Sequence, residues 1–405
     1  MKVLFLSPGY PAEMPYFVRG LAAVGAEVLG LGDSAPGALP EMTRRHLSHY
    51  LHLGSLWDEG ATVEAVRRWA PARGLDRVEC LWEPGMILAA KIRAAMGLPG
   101  MTVEQTLPFR DKEEMKLVLD RVSIRTPRHA RARTEGEVRA AAEEIGFPII
   151  VKPIAGAGSL DTFRVDGPSD LDRALAMTRH VTEMSVEEFV EAEEYTYDTI
   201  CSGGSILHYN LSWYRPRPLV AKLHEWVSSQ TIALRNVDDP VLAGGRAMGP
   251  RVIEALGFRD GFTHMEWFRR PDGEAVFGEI ACRPPGARST EIINYSCDFD
   301  CWTAWAEAVC HGRITQPVER KYNAAMIFKR ARGEGRIQRI EGLQRILSSF
   351  GEHIVSIDLL PIGAKRRDWR ATLIGDGWIM LRHPSLEATM EMGDRVATDL
   401  QMYAG

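Results

Sequence analysis

The first hundred residues alternate between short apolar runs and segments whose apolar positions follow a helical period. The apolar runs predict strands at residues 2–6, 26–31 and 77–82. The periodic segments predict helices at residues 15–25, 60–70 and 86–96. Strands that alternate with helices are typical of a parallel sheet with both faces covered. We therefore expect residues 1–108 to form a doubly wound domain. Its ligand crevice is expected at the C-terminal strand ends, near residues 7–10 and 83–85.

From about residue 110 the pattern becomes mixed. Periodic segments predict helices at 112–121, 134–145 and 169–183, and apolar runs predict strands at 147–152, 186–190 and about 194–200. Near the end of the chain, strands are predicted at 324–331, 353–361 and 371–382, before a helix from Ser385 to about Tyr403. This order indicates a second α/β region followed by a small α+β region.

Two alternating runs around Pro271-Asp272-Gly273 predict a β-hairpin over residues 262–282. A loop of two or four residues places Glu266 directly opposite Glu279, whereas a three-residue loop requires a bulge to keep both on one face. Opposed carboxylates about 5 Å apart repel by about 3 kcal/mol at an effective dielectric of about 20. A cation between them removes that cost, and Mg²⁺ bound together with substrate phosphates is the predicted ligand. The alternative is two solvated glutamates on an exposed hairpin.

Lys152 ends an apolar strand and is followed by a loop of small residues, 153–159. Glycines let backbone N–H groups approach an anion closely, so the lysine and the loop predict a phosphate clasp. This is not a Walker A loop, because the lysine precedes the glycines. Residues 154–160 are expected to be mobile and to close when nucleotide binds. A plain turn is the alternative.

Composition excludes several classes of protein. The formal net charge of −5 provides no basic surface for nucleic acid or for an anionic membrane, and no apolar run reaches the ~20 residues of a membrane span. The N-terminus shows no signal-peptide pattern, and six cysteines in 405 residues do not form a disulfide scaffold. We expect reduced thiols and a cytoplasmic location.

Five short motifs follow one another along the chain: Asp-Lys at 111–112, Val-Lys-Pro at 151–153, Glu-Glu-Phe-Val at 187–190, His-x-Glu at 264–266 and Glu-Ile-Ala-x-Arg at 279–283. In this order and spacing they resemble the ATP-grasp superfamily, and the resemblance spans roughly residues 1–315. The resemblance implies Mg²⁺, with Mn²⁺ as an alternative, on Glu266 and Glu279, and catalytic roles for Arg283 and Lys152. It also implies an ATP site formed by Lys112, Lys152, Gly158, Ser159, Glu187, Glu188, Val190 and Glu194.

The resemblance implies three domains. Residues 1–108 precede an ATP-grasp domain, 109–315, in which 109–185 form a smaller lid subdomain and 186–315 a larger catalytic one. Residues 316–405 complete the protein. Many members have Glu-x-Asn-x-Arg where this chain has Ala281. That variant is similar to the dipeptide-forming amino-acid ligases, carnosine-synthase-like enzymes among them, and it implies that ATP and water complete the metal shell.

The implied activity is an ATP-dependent carboxylate–amine ligase that forms an amide through an acyl phosphate and releases ADP. Alternatives are another ATP-grasp enzyme, such as a carboxylase or a peptide side-chain ligase, and a nucleotide-binding module without turnover. The expected partners are ATP and small amino-acid or carboxylate substrates, without nucleic acid or membrane; a homodimer stays open.

Four further residues are candidates for substrate binding, and each has a plain structural alternative. Lys222 and His224 form either part of the site or a solvated strand end. His264 lies on the face of Glu266 and either lines the site or packs there, and Arg288 is either a carboxylate ligand or a surface residue. Arg283 has the alternative of an ion pair with Glu279 or Glu291.

Overall fold

The N-terminal region is a four-stranded parallel sheet covered on both faces. The structure is a computed structural model, which describes residues 1–70, 74–156, 161–369, 372 and 374–405. The strands are β1 (Lys2–Leu6), β2 (Glu27–Gly32), β3 (His49–His52) and β4 (Arg77–Cys80), and the helices are α1 (Met14–Ala23), α2 (Glu41–His46), α3 (Glu59–Trp69), α4 (Met86–Met96) and α5 (Val103–Thr106). The strand order is β3-β2-β1-β4. Val3 and Phe5 pack against α1 on one face, while Leu4 and Leu6 pack against α3 and α4 on the other. The predicted doubly wound domain is confirmed.

A second, antiparallel sheet follows. Its elements are α6 (Lys112–Arg121), β5 (His129–Ala132), α7 (Glu135–Ile145), β6 (Ile149–Pro153), β7 (Phe163–Val165), α8 (Pro168–Met177) and β8 (Met184–Glu188). The strand order is β5-β8-β6-β7. Apolar residues of β6 and β8 pack against α7 and α8, which gives this unit a core of its own.

The largest sheet has eight antiparallel strands. Its region contains β9 (Glu193–Ser202), β10 (Ser205–Arg215), α9 (Pro218–Leu223), β11 (Gln230–Ala233), α10 (Ala243–Ala255), β12 (Gly261–Arg269), β13 (Ala275–Ala281), α11 (Ser289–Cys297), α12 (Cys301–His311), β14 (Asn323–Lys329), β15 (Ile337–Glu341), α13 (Leu343–Phe350), β16 (Ile354–Leu359), β17 (Gly377–His383), α14 (Leu386–Asp399) and β18 (Gln401–Ala404). The order is β13-β12-β9-β10-β11-β14-β17-β16, and β15 pairs separately with β18. The predicted division at residue 315 lies between α12 and β14, and strands from both sides of it belong to this one sheet.

Two predicted helices are too long. The helix predicted over 169–183 ends at Met177, because the chain must turn there to enter β8. The helix predicted to reach Tyr403 ends at Asp399, since residues 401–404 pair with β15. At residues 401–404 a long-range strand pairing overrides local helix propensity. Within the described ranges, no helix combines the length and apolar character needed to cross a membrane.

Candidate active site

The two glutamates of the hairpin lie opposite each other, as predicted, but by the third of the routes considered. Arg269 pairs with Ala275, and the Arg270 N–H donates to the Glu274 carbonyl oxygen at 2.9 Å, so the loop is the three residues 271–273. The register then shifts between Trp267, which pairs with Phe277, and Glu266, which pairs with Glu279. The extra residue is Gly278, a β-bulge that returns both carboxylates to one face of the hairpin.

Glycine is required at this bulge by a close backbone approach. A Cβ atom added to Gly278 lies 2.9 Å from the carbonyl oxygen of Glu266 and 3.2 Å from its carbon. Such contacts are far inside ordinary van der Waals separation, so any larger residue pushes β12 and β13 apart beside the carboxylates. The bulge therefore sets the distance between the two glutamates.

Two predicted lysines converge on the same place from the smaller sheet. Lys112 begins α6 after the cap residue Asp111, and its Nζ donates to the carbonyl oxygen of Gly156 at 2.9 Å and lies 3.5 Å from Glu279 Oε2. Lys152 Nζ, at the end of β6, lies 3.9 Å from the same oxygen. Although burial opposes ionisation, these lysines lower the pKa of Glu279 to about 2. A cationic wall thus faces the glutamate pair across a cleft.

Glu187 contacts two lysines, Lys152 and Lys116. Its Oε2 lies 2.9 Å from Lys152 Nζ, and its Oε1 accepts from Lys116 Nζ at 2.7 Å and from Ser185 Oγ at 2.7 Å. Burial acts to raise the pKa of Glu187, but Lys116 and Lys152 hold it well below its usual range. Burial acts to lower the pKa of Lys152, but the carboxylates of Glu187, Glu279 and Glu266 hold it above its ordinary value. Glu187 therefore fixes Lys152 as a charged group, whereas its predicted contact with adenine stays a prediction.

A cleft of about 790 Å³ runs from these lysines past the end of β8. Glu188 and Val190 line it; the Glu188 carboxylate accepts from Arg125 Nη2 at 3.0 Å. Farther along, Glu194 Oε2 accepts from Arg217 Nε at 3.1 Å, and Arg217 Nη1 donates to the Val190 carbonyl at 2.7 Å. Burial first, and then the charge of Glu266, raise the pKa of Glu194. The cleft thus has a cationic end at Lys112 and Lys152 and another end where the Glu194 carboxylate and the Val190 carbonyl face Arg217.

Arg283 has a partner that the sequence did not indicate. Its Nε donates to Glu83 Oε2 at 2.7 Å, and Glu83 also accepts from Arg110. Neither of the two alternatives considered for Arg283, Glu279 and Glu291, is its direct partner. Burial opposes the charge, but Glu83 keeps the pKa of Arg283 above its ordinary value. Glu83 belongs to the predicted crevice at 83–85, so the N-terminal domain holds this arginine.

A second pocket of about 830 Å³ lies beyond the glutamates and shares Glu266 and Glu279 with the cleft. Arg283, His264 and Lys222 line it. His264 Nδ1 lies 2.6 Å from Asp198 Oδ1, and its Nε2 lies 3.4 Å from Glu266 Oε1. Of the two alternatives for His264, the lining position is the one observed.

Two substrate candidates, His224 and Arg288, are not among the residues that line either pocket. His224 packs its ring 4.7 Å from that of Trp226. Arg288 pairs with Glu291, donates its backbone N–H to Glu13 at 2.8 Å, and stacks over Trp378 at 5.0 Å. Arg288 therefore joins the N-terminal domain to the large sheet, and its role as a substrate ligand stays a prediction.

Part of the predicted phosphate loop is anchored. Gly158 and Ser159 lie outside the described residues. Ile154 is buried, and its N–H donates to Glu183 at 3.1 Å. The fold therefore covers the first residue of the segment 154–160, and the closing of that segment on nucleotide stays a prediction.

Several residues of the site were missed by sequence reasoning. Lys116 follows Lys112 by four positions, so the two share a helix face, and this spacing was an available signal. Asp198 lies two residues after Thr196 on β9, so the alternation of a strand places the two side chains on one face, and this was also an available signal. Glu83 had no such signal, because it lies 200 positions from Arg283.

The donor set fits a hard divalent cation. Glu266 and Glu279 offer only oxygen, and both side chains are partly exposed to the cleft. Among the described residues, no group of three or more His, Cys, Asp or Glu is arranged to enclose a metal. Nucleotide oxygens and water would therefore supply the remaining ligands, which is the usual arrangement for Mg²⁺.

Comparisons with known proteins agree with this geometry. The family described as the ATP-binding domain of the carbamoyl-phosphate synthase L chain matches residues 111–195. The chain is 27% identical over 234 residues to the L-arginine-specific L-amino acid ligase of Bacillus subtilis, a match that spans 56% of each protein. It is 24% identical over 400 residues to the formate-dependent phosphoribosylglycinamide formyltransferase of Nitratidesulfovibrio vulgaris, covering 91% of this chain and 94% of that protein.

A solved structure covers the whole fold. The L-amino acid ligase from Bacillus licheniformis superposes with a TM-score of 0.80 at 20% identity, covering 100% of this chain and 98% of that one. The fold is therefore shared along the full length of both proteins.

Proposed function

We propose that this chain, whose residues 111–195 match the ATP-binding domain of the carbamoyl-phosphate synthase L chain, is an ATP-grasp enzyme that acts as an ATP-dependent carboxylate–amine ligase and joins an amino acid or small carboxylate to an amine. The observation that carries this proposal is the shared position of Glu266 and Glu279, which line both the nucleotide cleft and the second pocket. A phosphoryl group bound between them and the lysines would lie where the cleft meets the second pocket. The proposal agrees with the names of the two amino-acid ligases that the chain resembles.

The reaction needs activation, because the leaving group of a free carboxylate would be oxide. Transfer of the γ-phosphoryl group to the carboxylate breaks the bond to ADP and forms an acyl phosphate, whose leaving group is phosphate. The amine then attacks the acyl carbon, loses a proton and displaces phosphate. Positioning and charge neutralisation account for most of the acceleration in such transfers.

In this proposal, each basic residue has a definite place. Lys112 and Lys152 hold the terminal phosphates, and Glu266 and Glu279 hold Mg²⁺, which supplies charge neutralisation when bound. Arg283, fixed by Glu83, faces the reacting phosphate and the developing oxyanion, for which its planar N–H donors are suited.

Within this proposal the carboxylate substrate is either an amino acid or another small carboxylate. The match to a formate-dependent formyltransferase over 91% of the chain favours the second kind of substrate. Both share the acyl-phosphate chemistry and differ only in what the second pocket admits.

The test is release of ADP and phosphate over a matrix of amino acids, small carboxylates and amines, with and without Mg²⁺. We expect at least one pair to produce ADP and an amide. The Glu279→Gln variant should keep its fold and lose nearly all Mg²⁺-dependent turnover. Formation of AMP and pyrophosphate would contradict the proposed chemistry, and normal turnover by a folded Glu279→Gln protein would remove the metal assignment.

A further inference from the structure

The second pocket carries two cations that the proposed chemistry does not use. Lys222 and Arg330 both line it. Among the residues that the structure describes, neither has a carboxylate within salt-bridge distance. Cations at the wall of a substrate pocket are free to pair with an anionic group of the substrate.

Arg330 is held in a fixed orientation. Its Nη1 donates to the carbonyl oxygens of Ala221 at 2.6 Å and His224 at 3.2 Å, and its guanidinium stacks over Trp369 at 5.1 Å. These contacts restrain the planar group without neutralising it, and within the described part of the chain the N–H groups of Nε and Nη2 have no acceptor. Arg330 is therefore a preorganised donor for a planar anion.

The other charged residues of this pocket already have partners. Arg283 pairs with Glu83, and His264 lies between Asp198 and Glu266. Among the described residues, the acidic side chains that line the pocket are those of Glu266 and Glu279, the proposed metal ligands. Beyond them the described lining consists of cations and neutral groups, which favours an anionic substrate and disfavours a cationic one.

We propose that the second pocket selects an acidic amino acid, with one carboxylate at the reacting edge near Glu266, Glu279 and Arg283 and the other bound by Arg330 and Lys222. This inference rests on the proposed ligase function. A neutral amino acid offers a single carboxylate and would leave either the reacting edge or the two cations without one. The uncharged polar residues that line the pocket are Tyr214, Ser229, Gln230, Thr231 and Ser289.

The first experiment compares substrates that differ only in charge. ADP release by the full chain is measured with glutamate against glutamine, aspartate against asparagine, and arginine, each with a panel of amines. A charge-assisted hydrogen bond is worth roughly 1.5–3 kcal/mol, so kcat/KM should favour each acid over its amide by about tenfold or more. Arginine should be the poorest of the five. Equal rates for acids and amides, or a preference for arginine, would overturn the inference.

The second experiment changes the wall. Lys222→Gln should reduce the preference for glutamate over glutamine, and Lys222→Glu should shift the preference towards a cationic amino acid. Lys91→Gln is the matched control, because Lys91 lies on the exposed face of α4 and pairs with Glu59; its preference should equal that of the natural protein. An unchanged preference in both Lys222 variants would refute the assignment.

Arg330→Gln repeats the test at the second cation. Since Arg330 also binds two backbone carbonyls, its variant is compared for thermal stability first, and the Lys222 variants decide the question if it does not fold. ADP release with neutral amino acids alone would leave the ligase proposal standing and remove the acidic-substrate inference. Nucleotide binding without ADP release for any substrate would remove both.

Discussion

Substitution of Gly278 by alanine tests whether the bulge sets the metal site. The added Cβ lies 2.9 Å from the backbone oxygen of Glu266, whereas ordinary contacts begin near about 3.5 Å. The strands must therefore separate by about 0.5 Å beside the carboxylates, at a cost typical of overpacking, about 1–3 kcal/mol. Because a displacement of about 1 Å at a reacting centre can lower a rate about 100-fold, we expect Gly278→Ala to lose about tenfold or more of its turnover.

The assay is ADP release at a series of Mg²⁺ concentrations, together with unfolding by urea. We expect a higher Mg²⁺ requirement as well as a lower maximal rate, since the distance between Glu266 and Glu279 changes. Gly136→Ala is the control, because it adds the same methyl group within α7, where the nearest heavy atom is 4.0 Å away. That variant should keep its activity and be as stable as the natural protein or more so.

Two results would refute the reasoning about Gly278. Unchanged stability of Gly278→Ala would mean that the backbone approach is not a real constraint. Reduced stability with unchanged Mg²⁺ dependence and rate would mean that the bulge shapes the hairpin without positioning the carboxylates.

Three other predictions follow from buried charges. Lys116→Met should destabilise the protein by about 3 kcal/mol in urea unfolding, because it removes one partner of the buried pair with Glu187; a loss under about 1 kcal/mol would contradict this estimate. Burial, with a smaller effect of a nearby arginine, lowers the pKa of His208 from 6.5 to about 3. The folded state therefore binds fewer protons at His208 than the unfolded state does, and the stability of the protein falls as pH decreases from about 6.5 towards 3. His208→Leu should show a smaller loss of stability over that range, and an identical pH profile would be evidence against the neutral buried histidine. Glu83→Gln should lower kcat about tenfold or more with little change in the KM for ATP, because Arg283 loses its ionic anchor; a change in KM alone would argue for a role in nucleotide binding instead.

The site was predictable where its chemistry lies in local patterns. Glu266 and Glu279 could be opposed from the alternation of the hairpin, and Lys152 could be placed at a strand end. The route was not predictable, because an odd loop and a bulge at Gly278 produce the same face as an even loop without one. Sequence patterns fix which residues alternate, but the position of a bulge depends on packing between strands.

Pairings between distant segments were beyond sequence reasoning. Glu83 and Arg283 meet only because the N-terminal domain packs on the large sheet, and neither segment carries a sequence pattern that identifies the other as its partner. The same limit explains the helix that was predicted to reach Tyr403: its last residues pair with β15, about sixty positions earlier. Local propensity cannot report a partner that tertiary structure supplies.

The continuity of the eight-stranded sheet has a consequence for shortened versions of this protein. β11 lies between β10 and β14, and β14 comes after the last helix of the predicted catalytic subdomain. A chain cut near residue 315 would leave one side of β11 as a bare edge, with those N–H and C=O groups of Gln230 to Ala233 that face β14 unpaired. Exposed edges of this kind recruit strands from other molecules. Such a fragment should aggregate on expression, whereas a cut that keeps β14, β17 and β16 should leave a soluble protein.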